Sequence, residues 1–238
     1  MSLLSIRAVD ARHGLLRAVN NVSFECEQGD IVALIGANGA GKTTMLRTIA
    51  GVHAPQSGRI VFDGTDVTGL RAAARVRLGI AMVPEGRRLF GSMTVEDNLR
   101  VAASCARAGS WNLSTVLDAF PQLKPKLRSP AGQLSGGQQQ AASIARALMT
   151  NPRVLLLDEI SLGLSPIAVD QLYQSLQALV ASGTTIVLVE QDLGRALAFS
   201  HRVMCMLEGS IPLHGKTDEV TREQILNAYF GLGRETVH

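Results

Sequence analysis

The sequence predicts an α/β fold with a mostly parallel central sheet and a helical insertion, and three observations carry that expectation. Short β-rich runs alternate with helical patterns along most of the chain. The runs 31–35, 154–157 and 185–189 are apolar on both faces, as strands covered by helices on either side must be. Between Glu85 and Thr150 the strand pattern lapses and helical periodicity replaces it.

In chain order the extended runs fall at 3–9, 22–26, 31–35, 59–62, 80–83, 154–157, 185–189 and 202–207. A helix is expected over 44–50, directly after a glycine-rich loop. Further helices are expected over 95–107, 113–120 and 136–149, joined by loops bearing Pro, Gly and Gln. The chain therefore reads as one domain, with a core of 1–84 and 151–238 interrupted by a helical subdomain of 85–150. Residues 231–238 read as a frayed polar tail.

Composition narrows the class. With 238 residues, 46% hydrophobic and 18% charged, the chain can bury a sizeable core and is too apolar to be disordered. Its longest apolar runs have the length of strands, well short of the roughly 18 residues of a membrane span. Arg7 and Asp10 fall where a signal peptide needs an apolar core, which places the chain on the cytosolic side. Cys26, Cys105 and Cys205 are odd in number and far apart; neither a disulfide framework nor a zinc site fits, and they read as reduced packing residues. A net charge of +3 without a basic run, and 4% aromatics, suggest no nucleic-acid face.

Three motifs carry chemistry. After the run 31–35 come Gly36, Ala37, Asn38, Gly39, Ala40, Gly41, Lys42 and Thr43, then Thr44 and a helical pattern. This is GxxxxGK[ST] in its required strand–loop–helix setting. Small residues let backbone N–H groups converge on phosphate oxygens, Lys42 reaches the terminal phosphates, and the Thr43 hydroxyl suits Mg²⁺. A nucleoside triphosphate fits. Second, the apolar run 154–157 ends in Asp158 and Glu159, at the sheet edge where such folds bind ligands. Asp158 suits a metal, and Glu159, facing the other way, suits a base that orients or deprotonates water. Third, Leu134, Ser135, Gly136, Gly137 and Gln138 precede a helix. Ser135 and Gln138 have capping-box spacing and could simply start it. Two glycines in a first turn cost roughly 1 kcal/mol each, however, and a cap needs neither. They suggest close backbone approach to a ligand.

In that order and spacing, the glycine loop, LSGGQ and LLLLDE resemble the nucleotide-binding subunit of ATP-binding cassette (ABC) transporters. The resemblance covers essentially the whole chain. It implies a P-loop ATPase core with an N-terminal antiparallel β region, and a head-to-tail pair of ATPase chains, identical or different. Each ATP then lies between one chain's glycine loop and the Ser135, Gly136, Gly137 and Gln138 segment of the other. Three stretches depart from the common pattern. Glu85 replaces the usual glutamine of the loop that touches Mg²⁺ and couples to membrane subunits. Gln191 replaces the usual switch histidine, and the 160–166 stretch has Ile160 and Ser165 for proline and aspartate. PEGR, EQ and GLSP together resemble the ATPase subunits of branched-chain amino-acid-type importers. That likeness implies separate permease subunits, an external solute-binding protein, and a peripheral place on the cytoplasmic face of the inner membrane.

The departures have physical consequences. Gln191 can hydrogen-bond a γ-phosphate but cannot take a proton, which leaves Glu159 as the base. Glu85 adds a carboxylate that could tighten the metal or oppose phosphate charge; alternatively, this chain contributes a weakened site to an asymmetric motor. His13, before Gly14, stands where relatives carry an adenine-stacking tyrosine, and also reads as a solvated turn histidine between Arg12 and Arg17; Val19 is a further apolar candidate for the base. The 85–90 loop, with Arg87, Arg88, Leu89 and Phe90, is the expected permease contact. His53, His201, His214 and His238 lack metal-ligand spacing. An exporter or lipid-extraction ATPase shares this core, but PEGR and EQ argue against it. A soluble cassette protein usually has two cassettes or a long coiled coil, which 238 residues do not hold.

Overall fold

A computed structural model describes residues 2–232. In chain order its strands and α-helices are β1 (Leu4–His13), β2 (Leu16–Cys26), β3 (Ile31–Ile35), α1 (Lys42–Ile49), β4 (Ser57–Phe62), β5 (Thr65–Asp66), α2 (Ala72–Leu78), β6 (Ile80–Val83), α3 (Val95–Ala103), α4 (Leu113–Ala119), α5 (Gly136–Leu148), β7 (Val154–Asp158), α6 (Pro166–Ala181), β8 (Thr185–Val189), α7 (Leu193–Phe199), β9 (Arg202–Leu207), β10 (Ser210–Lys216) and α8 (Arg222–Phe230). Two compact units divide the chain, one of residues 1–71 and 186–238, the other of 72–185. The helical stretch 85–150 shares its unit with β6, β7 and α6. Among the described residues no helix is long and apolar enough to cross a membrane.

In the first unit an antiparallel sheet runs in the order β2-β1-β4-β5. Asp10 ties three of its strands together. Its carboxylate accepts from the Arg17 guanidinium and the Asn21 amide (3.1 Å) on β2, and from Ser57 Oγ on β4 (2.6 Å). Those bonds favour the charged form, and the Ser57 hydroxyl most of all brings the Asp10 carboxyl down from 3.8 to about 2. Beside this sheet, β3 pairs in parallel with β8 and β9, and β10 adds an antiparallel edge to β9. Every residue of β3 and β8 is buried, as two-faced apolar runs require. One face is covered by α7 and α8: Ala33, Ile35, Val203 and Cys205 pack with Ala196 and Ile225.

In the second unit β6 and β7 pair in parallel, Ile80 beside Val154 through Val83 beside Leu157. Helix α3 starts at a Thr94–Asp97 capping box. It ends at Ala103, short of the expected 107. Residues 104–106 close the turn with tight bonds back to 101–103, after which the Arg107 amide is drawn to Thr150 O (3.3 Å). Arg107 Nη1 donates to Asn151 O (3.2 Å), and the Asn151 amide brackets Trp111 N and O at 2.7 and 2.9 Å. The strands 31–35, 80–83, 185–189 and 202–207 have the predicted bounds. The predicted frayed tail begins differently: Gly231, at φ 69°, is the left-handed cap of α8, while residues 233–238 lie outside the described residues.

Candidate functional site

The glycine loop leaves β3 and enters α1 with its backbone pressed against two other strands. A Cβ on Gly36 would lie 2.2 Å from Met206 O, and one on Gly41 would lie 2.0 Å from Ala18 O and 2.8 Å from Met206 Cε. Both glycines also hold left-handed φ, 152° and 107°. The loop is fastened further by Gly209 N donating to Ala40 O (2.9 Å), with Gly209 O in turn accepting from Asn20 N (2.8 Å). Helix α1 begins at Gly41 without a side-chain cap, so its first amides carry the positive end of the helix dipole toward the loop. Lys42 is 4% exposed, and its ammonium donates to Gly36 O (2.7 Å) and Ala37 O (2.9 Å). Beneath it, burial pushes the Cys205 thiol up to about 11, against the pull of the Lys42 charge. Ala37, Thr43 and Thr44 are half-buried, Ala40 is buried, and Asn38 and Gly39 are exposed.

Three other predicted residues share this unit. His13 closes β1 opposite Leu16, exposed at the hairpin tip, where Leu15 is 96% exposed. Val19, the further apolar candidate for the base, is buried in β2, where its register partner on β1 is the buried Ala11. Gln191 is exposed at the end of β8, beside Glu190, which is 2% exposed and accepts from the Gln191 amide (3.3 Å). Sequence reasoning passed over Glu190. The signal was an acid directly continuing an all-apolar strand, a position only a partnered carboxylate tolerates.

In the second unit Asp158 is fully buried at the end of β7, and Glu159 follows in left-handed backbone, φ 47°, half-buried. A side chain held there is strained, and such strain gathers at functional sites. Ser135 caps α5: Gln138 N donates to Ser135 Oγ (3.4 Å), and Gln138 Oε1 accepts from Ser135 N (3.1 Å). The start of α5 opens on a cavity of about 120 Å³ shared with Gln122, Ala168 and Gln171. The glycines there have a packing reason the sequence did not show. A Cβ on Gly137 would stand 2.9 Å from Ala168 Cβ on α6, and one on Gly136 3.1 Å from the Arg87 guanidinium. The 85–90 loop leaves Glu85 exposed, Leu89 half-buried and Phe90 52% exposed, with the Arg146 guanidinium 5.7 Å from the Phe90 ring centre. Among the described residues no three His, Cys, Asp or Glu side chains gather into a metal-binding group.

Comparisons with known proteins agree along the chain. The family described as ABC transporter matches residues 19–161. Over 232 residues the chain is 40% identical to the high-affinity branched-chain amino acid transport ATP-binding protein BraG of Pseudomonas aeruginosa, covering 96% of this chain and 100% of BraG. A probable branched-chain amino acid transport ATP-binding protein, LivF of Archaeoglobus fulgidus, is 32% identical over 219 residues, 91% of this chain and 93% of LivF. The xylose import ATP-binding protein XylG of Escherichia coli K12 is 34% identical over 243 residues; the match takes in 95% of this chain but 47% of XylG. Solved structures align closely: a nucleotide-free ATP-binding cassette from an ABC transporter (TM-score 0.81, 27% identity, 96% and 95% of the two chains) and the ADP conformation of MJ1267, an ATP-binding cassette of an ABC transporter (0.81, 27%, 95% and 94%). A dimeric post-hydrolysis state of the cassette MJ0796 bound to ADP and Pi aligns with TM-score 0.79 at 25% identity, over 90% of this chain and 98% of that one. With a phosphate-binding loop of this build and likeness extending end to end, the chain belongs to the ABC transporter family, as one of its ATP-hydrolysing cassettes.

Proposed function

We propose that this ATPase powers the import of branched-chain amino acids, or solutes of similar chemistry, through separate permease subunits at the cytoplasmic face of the inner membrane, an external binding protein delivering the solute. One observation carries the choice of solute: the 40% identity to BraG runs over 96% of this chain and all of BraG, whereas the likeness to XylG covers only half of that protein.

Gly36, Ala37, Asn38, Gly39, Ala40, Gly41, Lys42, Thr43 and Thr44 grip the triphosphate, Lys42 exchanging its two loop carbonyls for phosphate oxygens. Mg²⁺ suits the donor set, because this ion is commonly held by one or two carboxylates together with substrate phosphates. The Thr43 hydroxyl and the Asp158 carboxylate would hold it, and Glu85 is a third oxygen donor. When bound, the ion neutralises charge on the phosphates. Glu159 takes the proton of the attacking water, and Gln191 donates a hydrogen bond to the γ-phosphate. Ser135, Gly136, Gly137 and Gln138 meet ATP held by a second cassette. The His13 ring stacks on the adenine, and nucleic acid plays no part.

The test is transport itself. Reconstituted with its permease and binding protein in vesicles, the protein should accumulate leucine when ATP is inside, and Lys42→Ala should abolish uptake. The likeness to XylG supports a pentose importer as second reading. Accumulation of xylose without leucine would establish that instead, and ATP-driven efflux would overturn import.

A further inference from the structure

The 85–90 loop is fixed to the helix that opens with Ser135, and one residue, Arg87, makes most of the connection through its carbonyl and its guanidinium. Gly86, Arg87 and Arg88 are consecutive left-handed residues, at φ 78°, 64° and 51°. Two of them carry long side chains, so the backbone holds this shape only where its surroundings enforce it. The enforcement comes from α5. Arg87 O accepts from Ser143 Oγ (2.7 Å) and from Arg146 Nη2 (3.5 Å), while Arg87 Nη1 donates to Gln139 Oε1 (3.0 Å). Gln139 Nε2 passes the connection on to Leu134 O (3.2 Å), the residue before the Ser135 cap. The same guanidinium lies over Gly136, 3.1 Å from where a Cβ would stand. Farther along, Asn98 holds Phe90 through both N (2.9 Å) and O (3.1 Å), so the loop is clamped between α3 and α5.

We infer that Arg87 is a positioning residue: its guanidinium, shared between Gln139 and Gly136, sets the Ser135–Gly136–Gly137 turn from the 85–90 loop, so a displacement of that loop re-aims the turn. A planar fork with five donors suits this task, since it can hold the amide and cover the glycine at once. The inference rests on the reading that this turn meets ATP bound by a second cassette.

Dimerisation driven by ATP tests it, followed by sedimentation in a Glu159→Gln background, alongside ATPase kinetics in the native background. Arg87→Ala should raise the ATP concentration for half-maximal dimer, and the KM of hydrolysis, by about tenfold, the scale of one charge-assisted hydrogen bond. Nucleotide affinity of the monomer and kcat at saturation should stay within about twofold. Gln139→Leu should act alike, and the double variant should be no worse than either single one, because all three lack the same link. Arg87→Lys, which keeps one donor, should fall between and serves if Arg87→Ala does not fold. Independent, additive losses in the double variant, or an unchanged dimer midpoint in Arg87→Ala and Arg87→Lys, would overturn the role of Arg87. Failure of the Arg87-intact protein to dimerise with ATP would instead bring down the reading beneath it.

Discussion

Lys42 is buried and its ammonium donates to loop carbonyls, so triphosphate oxygens need only replace one set of acceptors by another. Lys42→Ala should therefore leave the fold intact and raise the nucleotide Kd by at least about a hundredfold, measured by titration with a fluorescent ATP analogue. For Glu159, the Glu159→Gln exchange keeps the side chain's shape and removes the proton acceptor; turnover with the proper partner should fall about 10²–10⁴-fold, and undiminished turnover would remove Glu159 from that role. The cysteines show where residue-level reading stops. Cys26 and Cys205 are buried packing residues, their thiols pushed up to about 12 and about 11 by burial, but Cys105 is exposed just after α3, a correction to its reading as a packing residue. A thiol reagent at neutral pH should modify Cys105 in the native protein and reach the other two only on unfolding. Lys42 and Asp158 were legible because their chemistry is local to a motif. The burial of Val19 and the exposure of Cys105 depend on which strand lies opposite and where a helix stops.

Among the elements, the glycine loop and the β1–β2–β4 sheet make separable predictions. Gly41→Ala forces a Cβ into the Ala18 carbonyl, whereas a Cβ on Gly39 meets nothing within 4 Å and has only the left-handed φ of 82° to bear. Urea unfolding should show about 1 kcal/mol lost for Gly39→Ala and clearly more for Gly41→Ala, which should also lose nucleotide binding. The Asp10 carboxyl is lowered in the folded state, so its contribution is present above about 3.8 and disappears as pH falls toward about 2. The stability gap between the native protein and Asp10→Asn should narrow over that interval, and a gap independent of pH would show that the Ser57 and Arg17 bonds do not favour the charged form. Strands were legible where both faces are apolar. β10 was not, because its residues alternate between half-buried and exposed and include Pro212 and Gly215; β5, two residues long, has no pattern to find. The glycine pair at the head of α5 was assigned to a ligand because the sequence does not reveal that Ala168 lies against Gly137.

For the whole molecule, Ser135→Arg separates binding from assembly. Ser135 is exposed and is proposed to meet ATP held by a second cassette, so the variant should bind ATP as a monomer with native affinity yet fail to dimerise by size-exclusion chromatography with ATP. Loss of monomer binding would place Ser135 on the wrong side of the nucleotide. The family was legible because three short motifs fall in a fixed order. The solute was not, since relatives named for branched-chain amino acids and for xylose are both similar along nearly the whole chain. The interlock of Gly36 and Gly41 with the backbones of Met206 and Ala18 has a consequence for biosynthesis. The loop and β2 are translated well before β9, whose Met206 carbonyl confines Gly36, so a nascent chain halted before β9 should carry every residue of the phosphate cradle and still be unable to retain ATP.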